Sequence, residues 1–303
     1  MKKIYDCFQF FNELDLLEIR LELLYNHVDY FVISETNKTH SNKDKELFFE
    51  NNKKTFSKYL DKIIHVKEEM PNDILNPIKK QSSNKYDIEY NKIIDIFNVE
   101  NENGLKQFPT FARDYMQREF IKLGLINCQY DDVIMVSDLD EIPNPNVIDE
   151  VKEKSLVDHC IMMDCHNYYI NNIAHTNWYG NYIVYYEKTK SNSLTHLRNE
   201  RVNINKIFNG GWHLSFVGGP ERIKTKIQSY SHQEFNNSNY LNNINNKINS
   251  NSDLFNRTNY TYQDKFQKYY FDNLQVIDLN TYSYPQRMVD FIKNKFDYLI
   301  KPT

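Results

Sequence analysis

Asp131-Asp132-Val133-Ile134-Met135-Val136-Ser137-Asp138-Leu139-Asp140-Glu141-Ile142-Pro143 is the stretch from which the fold is read. Four apolar residues after the turn pair Asp131-Asp132 have the pattern of a short strand buried on both faces. Carboxylates follow at once, at Asp138, Asp140 and Glu141. Side chains two apart on an extended segment point the same way, so Asp138 and Asp140 can converge on one ligand. In an open α/β sheet ligands sit beyond the carboxyl ends of the strands, where these acids fall. Pro143 and Pro145 stop the strand, and Asn144 or Asn146 can cap the helix that follows. Paired acids at a strand end suit a hard divalent cation, Mn²⁺ or Mg²⁺, that shares its other ligands with a substrate diphosphate. The competing reading is an acidic turn with a capping Asp, because Asp-x-Asp is a short pattern.

Outward from that stretch, strands and helices alternate. Ile4 to Phe11 reads as a first strand, with Asn12 capping a helix that carries Glu13 and Asp15 in its first turn. Leu16, Leu17, Ile19, Leu21, Leu23 and Leu24 give that helix its buried face. Asp29 to Ser34 is a second strand ending in the polar cluster Glu35-Thr36-Asn37, and Lys62 to Val66 is a third. Residues 70–106, polar and rich in Asn and Lys with one amphipathic patch near Ile93-Ile94-Phe97, read as a surface excursion. A helix from Thr110 to Leu123 precedes the central strand, and another from Asn146 to Val157 follows it. His159 to Ile170 and Tyr182 to Tyr186 are strand-like. The alternation predicts an α/β sheet with helices on its faces, in one domain over residues 1–303.

With 303 residues, 40% hydrophobic and 15% aromatic, the chain can bury a sizeable core. A net charge of -4 provides no field that recruits nucleic acid. No segment approaches the ~20 apolar residues that cross a bilayer, and the first residues lack a signal peptide's apolar core. The expected location is therefore cytoplasmic, in a bacterial cytosol or a host cell's, with no transmembrane segment and no secretion. Cys7, Cys128, Cys160 and Cys165 are then expected as reduced thiols in core positions. His159-Cys160 and Cys165-His166 fit no zinc spacing. The absence of a Gly-rich phosphate loop disfavours ATPases and nicotinamide enzymes.

Gly210-Gly211-Trp212-His213-Leu214-Ser215-Phe216, followed by Gly218-Gly219-Pro220-Glu221, holds four of the chain's seven glycines. Such clustering indicates tight turns or close approach to a ligand. Trp212 and His213 there offer a flat face and a polar tip to a sugar ring, or alternatively a core Trp in a hairpin. Ile223 to Tyr230 reads as helical. His232 is a candidate third metal ligand beside Asp138 and Asp140, since imidazole suits Mn²⁺. Residues 236–252 are Asn-rich, with Leu241, Ile244 and Ile248 at helical spacing. The tail, with Tyr269-Tyr270-Phe271 and a C-terminal helix over 286–299, is expected to dock on the main body.

Several blocks resemble glycosyltransferase family 17, which includes the enzyme that adds bisecting GlcNAc to N-glycans. Asn12-Glu13-Leu14-Asp15-Leu16-Leu17-Glu18-Ile19-Arg20-Leu21 is similar to the family's start. Glu35-Thr36-Asn37-Lys38-Thr39 resembles its Glu-Ser-Asn-x-Thr segment, and Arg113-Asp114 its Arg-Asp pair. Asp138-Leu139-Asp140-Glu141-Ile142-Pro143 resembles its Asp-x-Asp-Glu-Ile-Pro signature. Gly211-Trp212-His213-x-Ser215 with Glu221 resembles its Gly-Trp-His-x-Ser block. The resemblance implies a GT-A-type, Rossmann-like mixed sheet flanked by helices, a UDP-sugar donor (UDP-GlcNAc in the known case), a divalent cation, a glycan acceptor and inversion to a β linkage. It places Asp140 on the metal and Asp138 on ribose or metal. Phe10, Asn12, Glu35, Asn37 and Leu139 fall at the donor, and Arg113 at uracil or diphosphate. Gly211, Trp212 and His213 fall at the acceptor or sugar. Glu221 is the first choice for the general base, then Glu234, then Glu141. Without an anchor the enzyme is expected to modify a lipid-linked, free, capsule or virion glycan. A metal-dependent phosphoesterase and a non-catalytic glycan-binding module are the rival functions.

Overall fold

A computed structural model describes residues 2–256 and 274–302. β1 (Ile4–Gln9) leads through α1 (Leu14–Leu24) to β2 (Tyr30–Thr36), and α2 (Phe48–Asn52) precedes β3 (Ile63–Glu68). α3 (Lys85–Glu102) and α4 (Pro109–Glu119) bring the chain back to β4 (Val133–Asp138). There follow β5 (Glu141–Pro143), α5 (Pro145–Lys154), β6 (His159–Asn167), β7 (Asn172–Tyr185), α6 (Tyr186–Ser191) and α7 (Leu194–Glu200). β8 (Asn205–Ile207), β9 (Gly211–Ser215), α8 (Pro220–Ser229), α9 (Ser238–Leu241), α10 (Ile244–Asn249), β10 (Gln275–Val276) and α11 (Gln286–Lys295) complete the order.

One mixed sheet runs β3-β2-β1-β4-β7-β6-β9-β5, with β10 paired to β7 and β8 to β6. β3, β2, β1 and β4 are parallel, and β7 lies antiparallel to both β4 and β6. The period of two in β4 is what places it centrally. Val133 and Met135 enter one core with Phe8, α1 and α11, while Ile134 and Val136 enter the other with Cys7, α3 and α4. The sheet is therefore covered on both faces, as the sequence predicts, in a Rossmann-like α/β arrangement.

Several boundaries differ from the sequence-based expectation. Asn12 does not cap α1; that position is Glu13, whose carboxylate accepts the Asn12 amide. Asn144, not Asn146, caps α5 through the Asn146 amide. Residues 70–106 contain the 18-residue helix α3, whose Tyr90, Ile93, Ile94 and Phe97 are buried in the second core. Its abundant Asn and Lys residues hide an apolar stripe. β7 is 14 residues long, beginning well before Tyr182. The Asn-rich 236–252 region holds two short helices, α9 and α10. Tyr269-Tyr270-Phe271 lie outside the described residues. Cys7, Cys160 and Cys165 are buried free thiols, whereas Cys128 is only half-buried. No described helix is long and apolar enough to cross a membrane.

The C-terminal helix docks on α1 through apolar and ionic contacts. Met288, Val289 and Ile292 of α11 join the core beneath α1, Arg287 pairs with Glu22, and Lys295 pairs with Glu18. Burial alone would raise the Glu22 carboxyl, but hydrogen bonds from Lys58, Tyr59 and Arg287 outweigh it and hold the group at about 2, against an ordinary 4.5. A depressed carboxylate stabilises the fold above its unfolded value, and that contribution is lost as pH falls through the folded value. E22Q is therefore expected to be about 1–2 kcal/mol less stable than wild type at pH 7, after allowance for its exposed partners. Urea melts should show this gap closing between pH 4.5 and about 2; a gap independent of pH would refute the assignment.

Candidate active site

The candidate site forms where β1 and β4 end side by side, with Gln9 in register with Asp138. The strand order reverses at this point, with β2 on one side of β1 and β4 on the other, the usual place for a ligand crevice. Here the backbone turns between β4 and β5 around one buried guanidinium. Arg20, on α1, forms a two-pronged pair with Asp6 at 2.6 and 2.8 Å, both side chains fully buried. Its Nη1 donates to the carbonyl oxygens of Asp138 and Leu139 at 2.9 Å and of Glu141 at 3.0 Å, and Nη2 donates to Ser137 Oγ at 2.7 Å. The 138–141 main chain therefore curls over α1. Asp138 and Asp140 come together through this turn rather than by sharing one face of a strand.

Each acid has its own cationic partners. Asp138 accepts from Arg118 of α4 at 2.9 Å and from Arg198 of α7 at 2.7 Å. Burial opposes its ionisation, but Arg198 and Arg118 prevail and hold the carboxyl far below the usual range. Asp140 accepts from Lys226 of α8 at 2.7 Å, with His213 Nε2 at 3.7 Å from the same oxygen. Its carboxyl is likewise held well down, chiefly by Lys226 and then His213 against burial. On His213, burial lowers the pKa, yet Cys165 and Asp140 raise it to about 10. Trp178 of β7 packs over the His213 ring at 4.3 Å.

Glu141 cannot serve as a base. It is fully buried, accepts twice from Arg198 at 3.0 Å, once from Trp178 Nε1 at 2.8 Å, and once from the Asp138 amide at 2.9 Å. Trp212 is also corrected: it is 2% exposed and packs at a tilt against Tyr284 in the core, so it offers no face to a sugar. Gly211 is needed for packing, not for a ligand, since a Cβ there would lie 2.3 Å from the Ile142 carbonyl oxygen. Phe10 and Leu139 are buried core residues. Glu35 is fully buried, engaged by the Phe49 amide and His65 at 3.1 Å each, and so builds the wall behind β2 rather than touching a ligand.

At the rim, Asn12 is half-buried, and Asn37 accepts the Met70 amide at 2.9 Å. Arg113 donates to the His40 and Pro109 carbonyl oxygens, and its Nε has no hydrogen-bond partner among the described residues. Asp114 links Gln9 at 2.9 Å to Arg118 at 3.1 Å, which connects the ends of β1 and β4 through α4. His232 is paired with Glu234 at 2.8 Å beside Phe111, and the structure does not bring it into one group with Asp138 and Asp140. Glu221 is exposed in the first turn of α8 with no ion pair among the described residues. A shallow crevice opens between α1 and α8, lined by Glu13, Leu16, Leu214, Phe216, Arg222 and Lys226 among others.

Sequence reasoning missed Arg20, Arg118, Arg198, Lys226 and Trp178 as site residues. Arg20 had a signal, a lone cation on an otherwise leucine-lined helix face. Arg198 and Lys226 had none, because they reach the acids from 60 and 86 residues away.

The fold is thus a mixed α/β sheet with paired aspartates at the carboxyl rim of its parallel half. The sequence pattern described as glycosyltransferase family 17 matches residues 1–104 and 76–301. The chain belongs to glycosyltransferase family 17 and is a glycosyltransferase, which acts on a donor and an acceptor. No curated protein matches the sequence. Among solved structures, the crystal structure of 4-diphosphocytidyl-2C-methyl-D-erythritol synthase is similar at 10% identity and a TM-score of 0.31, over 72% of this chain and 90% of that one.

Replacing Arg20 by Met would strand a fully buried Asp6 carboxylate and free the 138–141 carbonyl groups. Breaking a buried pair in this way typically costs about 3–5 kcal/mol. Urea denaturation should show R20M losing that much, while a midpoint equal to wild type would refute the central role given to Arg20.

Proposed function

We propose that the chain transfers a sugar, GlcNAc from UDP-GlcNAc, onto a glycan hydroxyl with inversion, forming a β linkage. The observation that carries this reading is the pair Asp138 and Asp140 at the β4 rim, in a chain of glycosyltransferase family 17. On this reading the fold is of the GT-A type. The nucleotide lies over the ends of β1 and β2, near Asn12, Asn37 and Arg113. Asp138, held ionised and in place by Arg118 and Arg198, accepts a ribose hydroxyl.

The reading includes a divalent cation, Mn²⁺ or Mg²⁺. Among the described residues no three His, Cys, Asp or Glu side chains form a cage. The donor set nonetheless suits a magnesium-type ion, which takes one or two carboxylates and completes its shell with phosphate oxygens and water. Asp140 is the carboxylate for it, because its Oδ2 is shared only with side-chain cations and its Oδ1 makes no hydrogen bond among the described residues. Asp138 has both oxygens engaged by arginines. When bound, such an ion supplies Lewis-acid stabilisation of the departing diphosphate.

Inversion requires a single displacement. The acceptor oxygen bonds to the anomeric carbon, the bond from that carbon to the diphosphate breaks, and a base takes the hydroxyl proton. Glu221 is the proposed base. Glu141 is buried and saturated and Glu234 is engaged by His232, whereas Glu221 is open to an acceptor arriving from solvent.

Incubation with a panel of nucleotide sugars and Mn²⁺ should show slow hydrolysis of a UDP-sugar before any acceptor is known. Preference for a GDP- or dTDP-sugar would overturn the donor assignment, and release of inorganic phosphate without sugar transfer would favour a phosphoesterase. With an acceptor in hand, E221Q is expected to lower kcat about 10²–10⁴-fold with donor KM unchanged. E234Q should stay near wild type, and equal losses in both variants would remove Glu221 from the role.

A further inference from the structure

Arg113 of α4 is a buried cation without a counter-anion. It is 7% exposed, and its Nη1 donates to the carbonyl oxygens of His40 at 3.3 Å and Pro109 at 3.2 Å. Nε and Nη2 make no hydrogen bond among the described residues, and no carboxylate there pairs with the guanidinium. Asp114, next in sequence, is committed to Gln9 and Arg118. Burial lowers the Arg113 pKa and nothing offsets it, whereas on Arg118 and Arg198 burial is outweighed by the Asp138 carboxylate. An uncompensated buried charge opposes folding. A charge kept in that state points to an anion that comes from outside the chain.

Its position says where that anion lies. Gln117, one turn further along the same face of α4, donates to Phe10 O just beyond β1 at 3.2 Å and to Ser34 O of β2 at 3.0 Å. Gln117 Oε1 is 3.0 Å from His40 Nε2, and Arg113 bonds the carbonyl of that same His40. The guanidinium therefore sits between α4 and the loop leaving β2, beside the carboxyl ends of β1 and β2, where sheets of this kind bind their ligands. Its shape selects among ligands. The N–H of Nε and one N–H of Nη2 run parallel, a fork that matches two oxygens of one phosphate group. A uracil ring is neutral and presents single carbonyl oxygens, so it would leave the charge unanswered.

We propose that the Nε/Nη2 edge of Arg113 grips the diphosphate of the donor, so that the nucleotide binds with no metal ion present. This rests on the nucleotide-sugar reading above and assigns the phosphates, not the base, to Arg113. The ligand supplies the negative charge that the folded chain lacks at this point, so binding also stabilises the fold.

The test is calorimetry on the intact chain in EDTA, with uridine, UDP and inorganic pyrophosphate as ligands. Wild type is expected to bind UDP about 10-fold or more tightly than uridine. R113M should lose about 10–100-fold in UDP affinity with uridine binding unchanged, and R113K, which keeps the charge but not the fork, should fall between. Pyrophosphate should raise the Tm of wild type and leave that of R113M unmoved. Where circular dichroism shows R113M unfolded, R113Q takes its place. Equal UDP-to-uridine ratios in wild type and the neutral variant overturn the inference and make Arg113 a fastener between α4 and the loop. Pyrophosphate binding that needs Arg113, in a wild type that binds neither uridine nor UDP, would uphold the anion site and overturn the uridine donor. If wild type binds neither UDP nor pyrophosphate in EDTA, the inference falls.

Discussion

The site depends on the Arg20 guanidinium. A planar group with five N–H donors can satisfy several carbonyl oxygens at once only if they curl around it. Asp6, from β1, neutralises that charge on one side, and the Phe8 ring stacks against it at 4.4 Å. The carbonyl oxygens of Asp138, Leu139 and Glu141 then have no better arrangement than the one observed. Two neighbouring strands and the helix between β1 and β2 are thereby tied to a four-residue turn. Because the guanidinium is buried, each bond it makes lies in a low-dielectric setting where a missing partner is costly.

Above that turn the charges alternate. Asp114, Arg118, Asp138, Arg198 and Glu141 form one connected chain of ion pairs, and Asp140 with Lys226 and His213 forms a second. Helices α4, α7 and α8 each contribute a cation, so the acids at the rim also fix where these three helices dock. Pairs of this kind add little net stability compared with apolar contacts, but they specify geometry. In this enzyme the specified geometry sets Asp138 between two arginines. Asp140, by contrast, is held by Lys226 and, at longer range, by His213.

Much of the fold was legible in the sequence, and the reasons are local. The β4 strand is announced by its apolar run, the start of α5 to within a residue by the Asn144/Asn146 alternatives, and α1 by its leucines. Errors arose where composition masked periodicity, as in α3, whose Asn and Lys residues cover the buried stripe of Tyr90, Ile93, Ile94 and Phe97. Site prediction was less even. The sequence singles out Asp138 and Asp140 by their position after a buried strand, and the structure puts them at the end of β4, each paired with cations. Trp212 and Glu35 were placed at the ligand, yet both are buried and occupied, because residue type does not tell which face of a strand a side chain takes once the sheet curls.

By itself the sequence determined that an α/β sheet would present paired acids at the end of its central strand. Alternating apolar runs and turn residues act over a few positions and do not need the rest of the chain. Only the tertiary structure decided which charges meet those acids. Arg198 and Lys226 arrive on separate helices from 60 and 86 residues downstream, and no spacing rule links them to the motif they neutralise. Electrostatic partners are chosen by distance in space, and that distance exists only after the helices have packed.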